Sequence, residues 1–315
     1  MTHLPDAAHA PATDFAFRAM GGTCAITIPT DQAICRTRDP RELARQAALE
    51  VLRIEQKYSR FRSDSVISRI NHNAFRRSVP CDGETVALIN HAANLHAQSQ
   101  GRFDITSGVL RTVWRFAEKT VPTPDTVRSV LERVGWQHVD WDGHMIRFKR
   151  EGMELDLGGL GKEYAADRAA RMLRESGVTN GLVNLGGDIV AIGVKTNGDQ
   201  WAVGVYDPFD KSRILGYLPI DNLAVATSGD YERRMVVDGK SYSHILDPVT
   251  GYPVDYWTSV TVVAGTCLLA GSVSTTVMLM GAHASHEWLD ALKLPIVAVT
   301  KDGNVWSSAK AHRVH

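Results

Sequence analysis

Apolar residues recur along this chain with two periods, and the changes of period mark out its elements. From Phe15 to Pro29 apolar and small positions alternate, which predicts a first strand with Met20-Gly21-Gly22-Thr23 as a glycine-relaxed bulge or bend inside it. From about Pro40 to Tyr58 the spacing becomes helical, with Leu43, Ala47, Val51, Ile54 and Tyr58 on one face. Ser59 to Ser65 is polar and turn-like and leads to Asn71, so Ser63 or Asp64 is expected to cap a short helix.

Further helices are predicted over 82–99, stopped by Gly101, and from Pro124, behind a Thr123 cap, to Gly135. Two more are predicted over 162–175, burying Ala165, Ala169, Met172 and Leu173, and over 267–280. Asp142-Gly143 predicts a hairpin joining 138–141 to 145–149, which hands the chain to a strand ending at Asp156. The rest reads mostly as strand: 201–206, 214–220, 224–227, 233–237, 260–264 and 296–300, with turns at Asp238-Gly239 and Asp302-Gly303.

One stretch, Glu154 to Gly193, concentrates glycine at element ends. Three glycines follow Asp156 within five positions, and a helix begins near Lys162, where backbone N–H groups and the helix dipole favour an anion. Gly186-Gly187 repeats the device after the next strand, with Asp188 behind it. The outline is a phosphate cradle. The spacing matches neither the dinucleotide fingerprint nor a P-loop, so glycines that only turn the chain into a crossover helix are the alternative.

Composition changes this picture by exclusion. The chain has 315 residues, with 35 Lys plus Arg against 35 Asp plus Glu, so no net field draws in nucleic acid or an anionic membrane. Cys24, Cys35, Cys81 and Cys267 are scattered without a Cys-x-x-Cys pair, which argues against a zinc site or redox motif and for reduced thiols. No internal repeat or linker divides the chain, so a disordered leader over 1–14 and a single domain over 15–315 are expected. No segment reads as a signal peptide or membrane span. The expected compartment is the cytoplasm, or the periplasm if an export signal has been removed.

Polar motifs fall at loop positions throughout, notably Phe103-Asp104-Ile105-Thr106 and His244-Ile-Leu-Asp-Pro-Val-Thr-Gly251. In order along the chain come Met20-Gly-Gly-Thr23, Ser59-x-Phe61 with Ser65 and Asn71, and Phe103 to Thr106. Asp156-Leu-Gly-Gly-Leu-Gly-Lys162 follows, then Tyr164 with Asp167, and Gly186-Gly187-Asp188. Thr227-Ser-Gly-Asp-Tyr231, His244 to Gly251 and Ser274-Thr275 complete the series. Over Met20 to about Gly281 the chain thereby resembles the ApbE family, FAD:protein FMN transferases.

The resemblance implies an α+β fold, one ApbE-like domain with mixed or antiparallel sheets and packed helices. It implies FAD as substrate, Mg²⁺ as the metal, and transfer of FMN to a Ser or Thr hydroxyl of an acceptor protein with release of AMP. Acceptors in the family present that hydroxyl in a short Asp/Ser-Gly-Ala/Ser-Thr-like segment. Two alternatives stay open: an FAD pyrophosphatase giving FMN and AMP, as in some relatives, and a non-catalytic FAD-binding protein.

Carried over by motif, Met20, Phe61, Arg102, Phe103, Asp104, Asp156, Lys162, His244 and Ile245 are the expected FAD contacts. Phe61 would pack on an aromatic ring, Asp156 would accept from ribose or adenine, and Lys162 would offer charge. His244 is the candidate to orient or deprotonate the acceptor hydroxyl; a structural hydrogen bond that shapes the FAD pocket is its other reading. Two positions depart from the family pattern. Its metal-ligand Asp is replaced by Gly271, and the usual Gly after Lys162 is Glu163. Glu163 is therefore expected to replace that ligand, with the Gly159 carbonyl, Ser274 and Thr275, since Mg²⁺ takes hard oxygen ligands. The competing expectation is a degenerate, metal-poor protein that binds FAD without transferring it.

Overall fold

A computed structural model describes residues 12–230, 234–308 and 311. The chain opens with β1 (Ala12–Ala19) and β2 (Gly22–Pro29), then α1 (Pro40–Tyr58) and α2 (Val66–Asn73). Next come β3 (Val79–Pro80), α3 (Gly83–Gln98), α4 (Pro124–Leu131), β4 (Val139–Trp141) and β5 (Met145–Phe148). The glycine-rich stretch leads into α5 (Gly161–Glu175), β6 (Gly181–Leu185) and β7 (Asp188–Ile192). The hairpin of β8 (Trp201–Tyr206) and β9 (Ile214–Ile220), β10 (Ala224–Gly229), β11 (Arg234–Val237) and β12 (Lys240–Ser243) follow. The chain ends with β13 (Trp257–Ala264), α6 (Cys267–Met280), α7 (His286–Ala291), β14 (Ile296–Thr300) and β15 (Val305–Ser307).

The fold is α+β. Eight strands form one sheet in the order β1-β2-β6-β7-β10-β13-β14-β15, antiparallel at every described pairing. Strand alternation sends Ile26, Val183, Leu185, Val190, Ala226 and Val262 into a core shared with α1, α5 and α6. The opposite face carries Ala191, Val225 and Val263, which pack against Trp201, Val203 and Leu218 of the β8–β9 hairpin. With cover on both faces, β13 is buried at all eight positions and needs no polar alternation.

Local signals explain the helices. Asp39 accepts from the Arg41 N–H and Pro40 occupies the first helical position, so α1 starts where its missing N–H is harmless. Its buried face includes Leu43, Ala47, Val51, Ile54 and Tyr58, as the period predicts. Alanines at 165, 166, 169 and 170 on α5 and at 44, 47 and 48 on α1 are all buried, and their small size suits the close contact between these helices.

Several expectations are corrected. Phe15 to Pro29 is a hairpin of two strands: Met20 (φ 54°) and Gly21 (φ 74°) make a two-residue turn whose left-handed backbone matches strand twist. Ala12 to Asp14 belong to β1; residues 1–11 lie outside the described residues. The cap of α2 is Ser65, which accepts from Ser68 N–H, rather than Ser63 or Asp64. The helix from Pro124 ends at Leu131, short of Gly135. Asp156 does not end a strand: Glu154 makes one isolated bridge to Ser107, and Asp156 N–H donates to Ile105 C=O. The strands β3 and β15 and the short α7 carry too little periodicity to be predicted. Tyr231 and Arg233 fall outside the described residues.

Candidate active site

Loops, turns, strands and helix ends from along the whole chain line one cleft of about 1430 Å³, above the roughly 300–1,000 Å³ that holds a small ligand. Of the expected FAD contacts, Met20, Phe61, Phe103, Asp104, Asp156, Lys162, His244 and Ile245 line it. Met20 is held at the β1–β2 turn by its N–H donating to Glu55 Oε1 at 2.7 Å. Phe61 is 88% exposed, with the Arg60 guanidinium 5.8 Å from its ring centroid. So large an apolar ring held in water at a cleft is a surface for stacking.

Asp156 sits between two arginines: its Oδ2 accepts from Arg60 at 3.2 Å and Arg111 at 3.1 Å, and its Oδ1 from Gly158 N–H at 2.8 Å. The last bond folds the glycine turn back on its own aspartate. Arg102 departs from expectation, since it does not line the cleft and its guanidinium lies 3.4 Å from Asp247 Oδ2. Asp104 lines the cleft but is committed to its wall. Oδ1 accepts from Thr106 N–H at 2.8 Å and Thr106 Oγ1 at 2.7 Å, and Oδ2 from Trp136 N–H at 2.9 Å. Asp104 Oδ2 also lies 3.3 Å from His96 Nδ1, and this contact raises the histidine's pKa against the effect of burial.

At the start of α5, Lys162 Nζ is 2.7 Å from Asp188 Oδ2, so its charge goes first to Asp188. Burial opposes that charge, but Asp188 and Glu163 outweigh it and hold the lysine above its usual pKa. Glu163 is 6% exposed, and its Oε2 has no hydrogen-bond partner among the described residues. Burial, reinforced by the Asp188 charge, pushes its carboxyl up to about 8. Gly271 explains how the carboxylate fits. A Cβ on Gly271 would fall 3.0 Å from both Cδ and Oε1 of Glu163, and closer still to Cγ. The two departures from the family pattern, far apart in sequence, therefore meet in space.

Asp167 sets that meeting. Its carboxylate accepts from the N–H groups of Cys267 and Leu268, both at 2.8 Å, and so caps α6. Since α6 passes α5 in the opposite direction, one turn back along α5 from Asp167 and one turn forward along α6 bring Glu163 against Gly271. Nearby, Ser228 Oγ lies 2.8 Å from Ser274 Oγ and 2.9 Å from Thr275 Oγ1. Thr275 lines the cleft, and its Cγ2 would lie 3.6 Å from a Cβ on Gly159. Ser274 is fully buried and does not line the cleft.

These residues fit a hard divalent cation. The site offers a buried, unpartnered carboxylate oxygen beside a second carboxylate and hydroxyls, and oxygen donors of this kind suit Mg²⁺. No group of three or more His, Cys, Asp or Glu gathers among the described residues, so hydroxyl, carbonyl or ligand oxygens must complete any such site. Residues not picked out as site candidates are Asp188, Ser228, Glu55, Arg60 and Arg111. Asp188 carried a signal, its place after Gly186-Gly187, whereas the arginines acquire a role only through distant Asp156.

Fold and cleft together define an α+β protein whose antiparallel sheet borders a cleft large enough for a dinucleotide-sized ligand, with carboxylate and hydroxyl oxygens gathered beside it. Residues 20–299 match the model of the ApbE family, and the chain belongs to that family. The FAD:protein FMN transferase of Salmonella typhimurium is 30% identical over 255 residues, 78% of this chain and 73% of that one. One from Klebsiella pneumoniae is 35% identical over 222 residues, 69% of this chain and 68% of that one. The ApbE protein of Thermotoga maritima superposes with a TM-score of 0.86 at 32% identity, covering 95% of this chain and 97% of that one. For the flavin transferase ApbE of Vibrio cholerae the TM-score is 0.83 at 27% identity, covering 96% and 99%.

Proposed function

We propose that this protein transfers the FMN half of FAD to a Ser or Thr hydroxyl of an acceptor protein, releasing AMP, with Mg²⁺ as the required metal. The observation that carries the reading is that relatives named for this activity match over most of the chain, and that the matched motifs line one cleft of sufficient size.

In the reaction the acceptor oxygen forms a bond to the FMN phosphorus, the phosphoanhydride bond to AMP breaks, and the hydroxyl proton passes to His244. His244 serves as base because imidazole titrates near neutrality and this one lines the cleft. Phe61 stacks on a ring of FAD. Met20, Phe103 and Ile245 supply apolar contact, and Asp156, steadied by Arg60 and Arg111, accepts from ribose or adenine. Glu163, Asp188, Thr275 and the Gly159 carbonyl would hold Mg²⁺, with Ser274 reaching the group through Ser228. A divalent cation bound there supplies charge neutralisation to the phosphates. Lys162 holds Asp188 in place and adds positive charge on the same side.

The test incubates the protein with FAD and Mg²⁺, with and without a peptide carrying Ser-Gly-Ala-Thr, and reads intact mass and AMP. An FMN-sized mass gain on the peptide with matching AMP, abolished by His244→Ala, is expected. AMP without peptide modification would instead establish an FAD pyrophosphatase, and intact FAD a binding protein.

A further inference from the structure

The cleft is wider than a path along one side of the sheet. Thr227 and Ser228 are neighbours on β10 and so point to opposite faces, yet both line it. Ser228 bonds inward to Ser274 and Thr275 of α6, while Thr227 Oγ1 lies 2.9 Å from Thr261 Oγ1 on the outer face. Beside this point the pairing of β7 with β10 gives out. β7 and β10 pair only at Val190 with Ala224 and Ile189 with Val225. Beyond them the Thr227 N–H donates to the Asp188 side chain at 3.2 Å instead of to a strand. The Gly186-Gly187 turn adjoins Asp188, and a Cβ on either glycine would meet nothing within 4 Å.

On the outer face the cleft continues as a groove. The β8–β9 hairpin covers β7, β10 and β13 and reaches Leu182 of β6, but no residue of β1 or β2 joins that cluster, which makes a step. Below the step the floor is built of small residues: Ala16 pairs across the hairpin with Ala25, and Ala25 pairs with Asn184. Thr23 and Thr27 flank them, and Asp14 at the edge is occupied by the Thr27 hydroxyl at 2.6 Å. Lys195 and the apolar Trp201, Ile214 and Tyr217 line the same cleft beside this floor. The floor suits an extended polypeptide with small side chains, lying flat against the sheet.

We propose that this outer groove seats the acceptor chain as an extended segment, which presents its hydroxyl to the helix side where the pairing of β7 with β10 gives out. The inference rests on the transferase reading above and adds to it the surface that selects the acceptor. FAD then occupies the half of the cleft toward the helices, and the two substrates meet at the Gly186-Gly187 turn.

Ala25→Arg and the more exposed Ala16→Arg place a long cation in the groove without touching the candidate FAD or metal residues. With the Ser-Gly-Ala-Thr peptide as probe, each is expected to raise the KM for peptide by about tenfold or more. The Kd for FAD should stay within about twofold, and Val305→Arg, on β15 across the sheet, should change neither. Peptide KM unchanged in a folded Ala16→Arg protein that still transfers FMN would overturn the groove and leave the transferase reading standing. Wild-type protein that releases no AMP and modifies no peptide would overturn the transferase reading, and the groove with it. A photo-crosslinking residue at position 16 gives a second measurement: capture of the peptide there supports the proposal, and capture only at helix-side positions overturns it.

Discussion

The contact between Glu163 and Gly271 can be read by a double-mutant cycle. Replacing a helix-interior glycine by alanine gains about 1 kcal/mol from backbone entropy alone. At Gly271 the new methyl overlaps the Glu163 side chain, 3.0 Å from Cδ and Oε1, and Glu163 is buried. Forcing a buried side chain off its rotamer costs about 1–3 kcal/mol. The two effects oppose, so Gly271→Ala should be neutral to destabilising by about 2 kcal/mol in the wild-type background. In a Glu163→Ala background the overlap is gone and the helix gain remains, so the same change should stabilise by about 1 kcal/mol. The coupling is thus about 1–3 kcal/mol, measurable by urea unfolding of the four proteins without metal. A coupling below about 0.5 kcal/mol would refute the reasoning, because residues in real contact do not add independently. Calorimetric titration with Mg²⁺ extends the cycle: Gly271→Asp alone should weaken binding, and the exchange Glu163→Gly with Gly271→Asp should restore it.

Three further outcomes are expected. Phe61→Ala should weaken FAD binding by about 1–3 kcal/mol, the range for ring stacking, in a fluorescence titration, and leave stability within about 0.5 kcal/mol because the ring is exposed. Arg102→Ala should leave FAD affinity unchanged and lower stability by no more than about 1 kcal/mol, since its partner is Asp247 at a partly exposed site. His96 has its pKa raised by its contact with the Asp104 carboxylate, so its stabilisation is complete below pH 6.5 and is lost as pH rises through the folded-state value. Urea midpoints measured across that window should fall with pH in the wild type and lose that component in His96→Gln.

Much of the architecture is legible in residue order because its causes are local. The spans Pro40–Tyr58, Cys267–Met280 and Ile296–Thr300 follow from apolar period and boundary residues, which act within a few positions. The motifs that line the cleft are legible for a related reason: glycines, carboxylates and the histidine lie where elements end. The β1–β2 turn is a different case, since alternation through Met20 fits either a bulged strand or a hairpin. Only the pairing of Ala12–Ala19 back onto Gly22–Pro29 decides it. Whether a motif residue faces a ligand is likewise not a local property. Arg102 and Asp104 stand two positions apart, yet one turns to Asp247 and the other is consumed by Thr106 and Trp136. Sequence by itself determined the element types, the family motifs and the pair of departures at Glu163 and Gly271. Tertiary structure alone put Glu163 against Gly271 and limited the pairing of β7 with β10 to two positions. Both depend on how separately specified elements pack, and packing is governed by volume and hydrogen-bond completion across the whole core rather than by the order of neighbours along the chain.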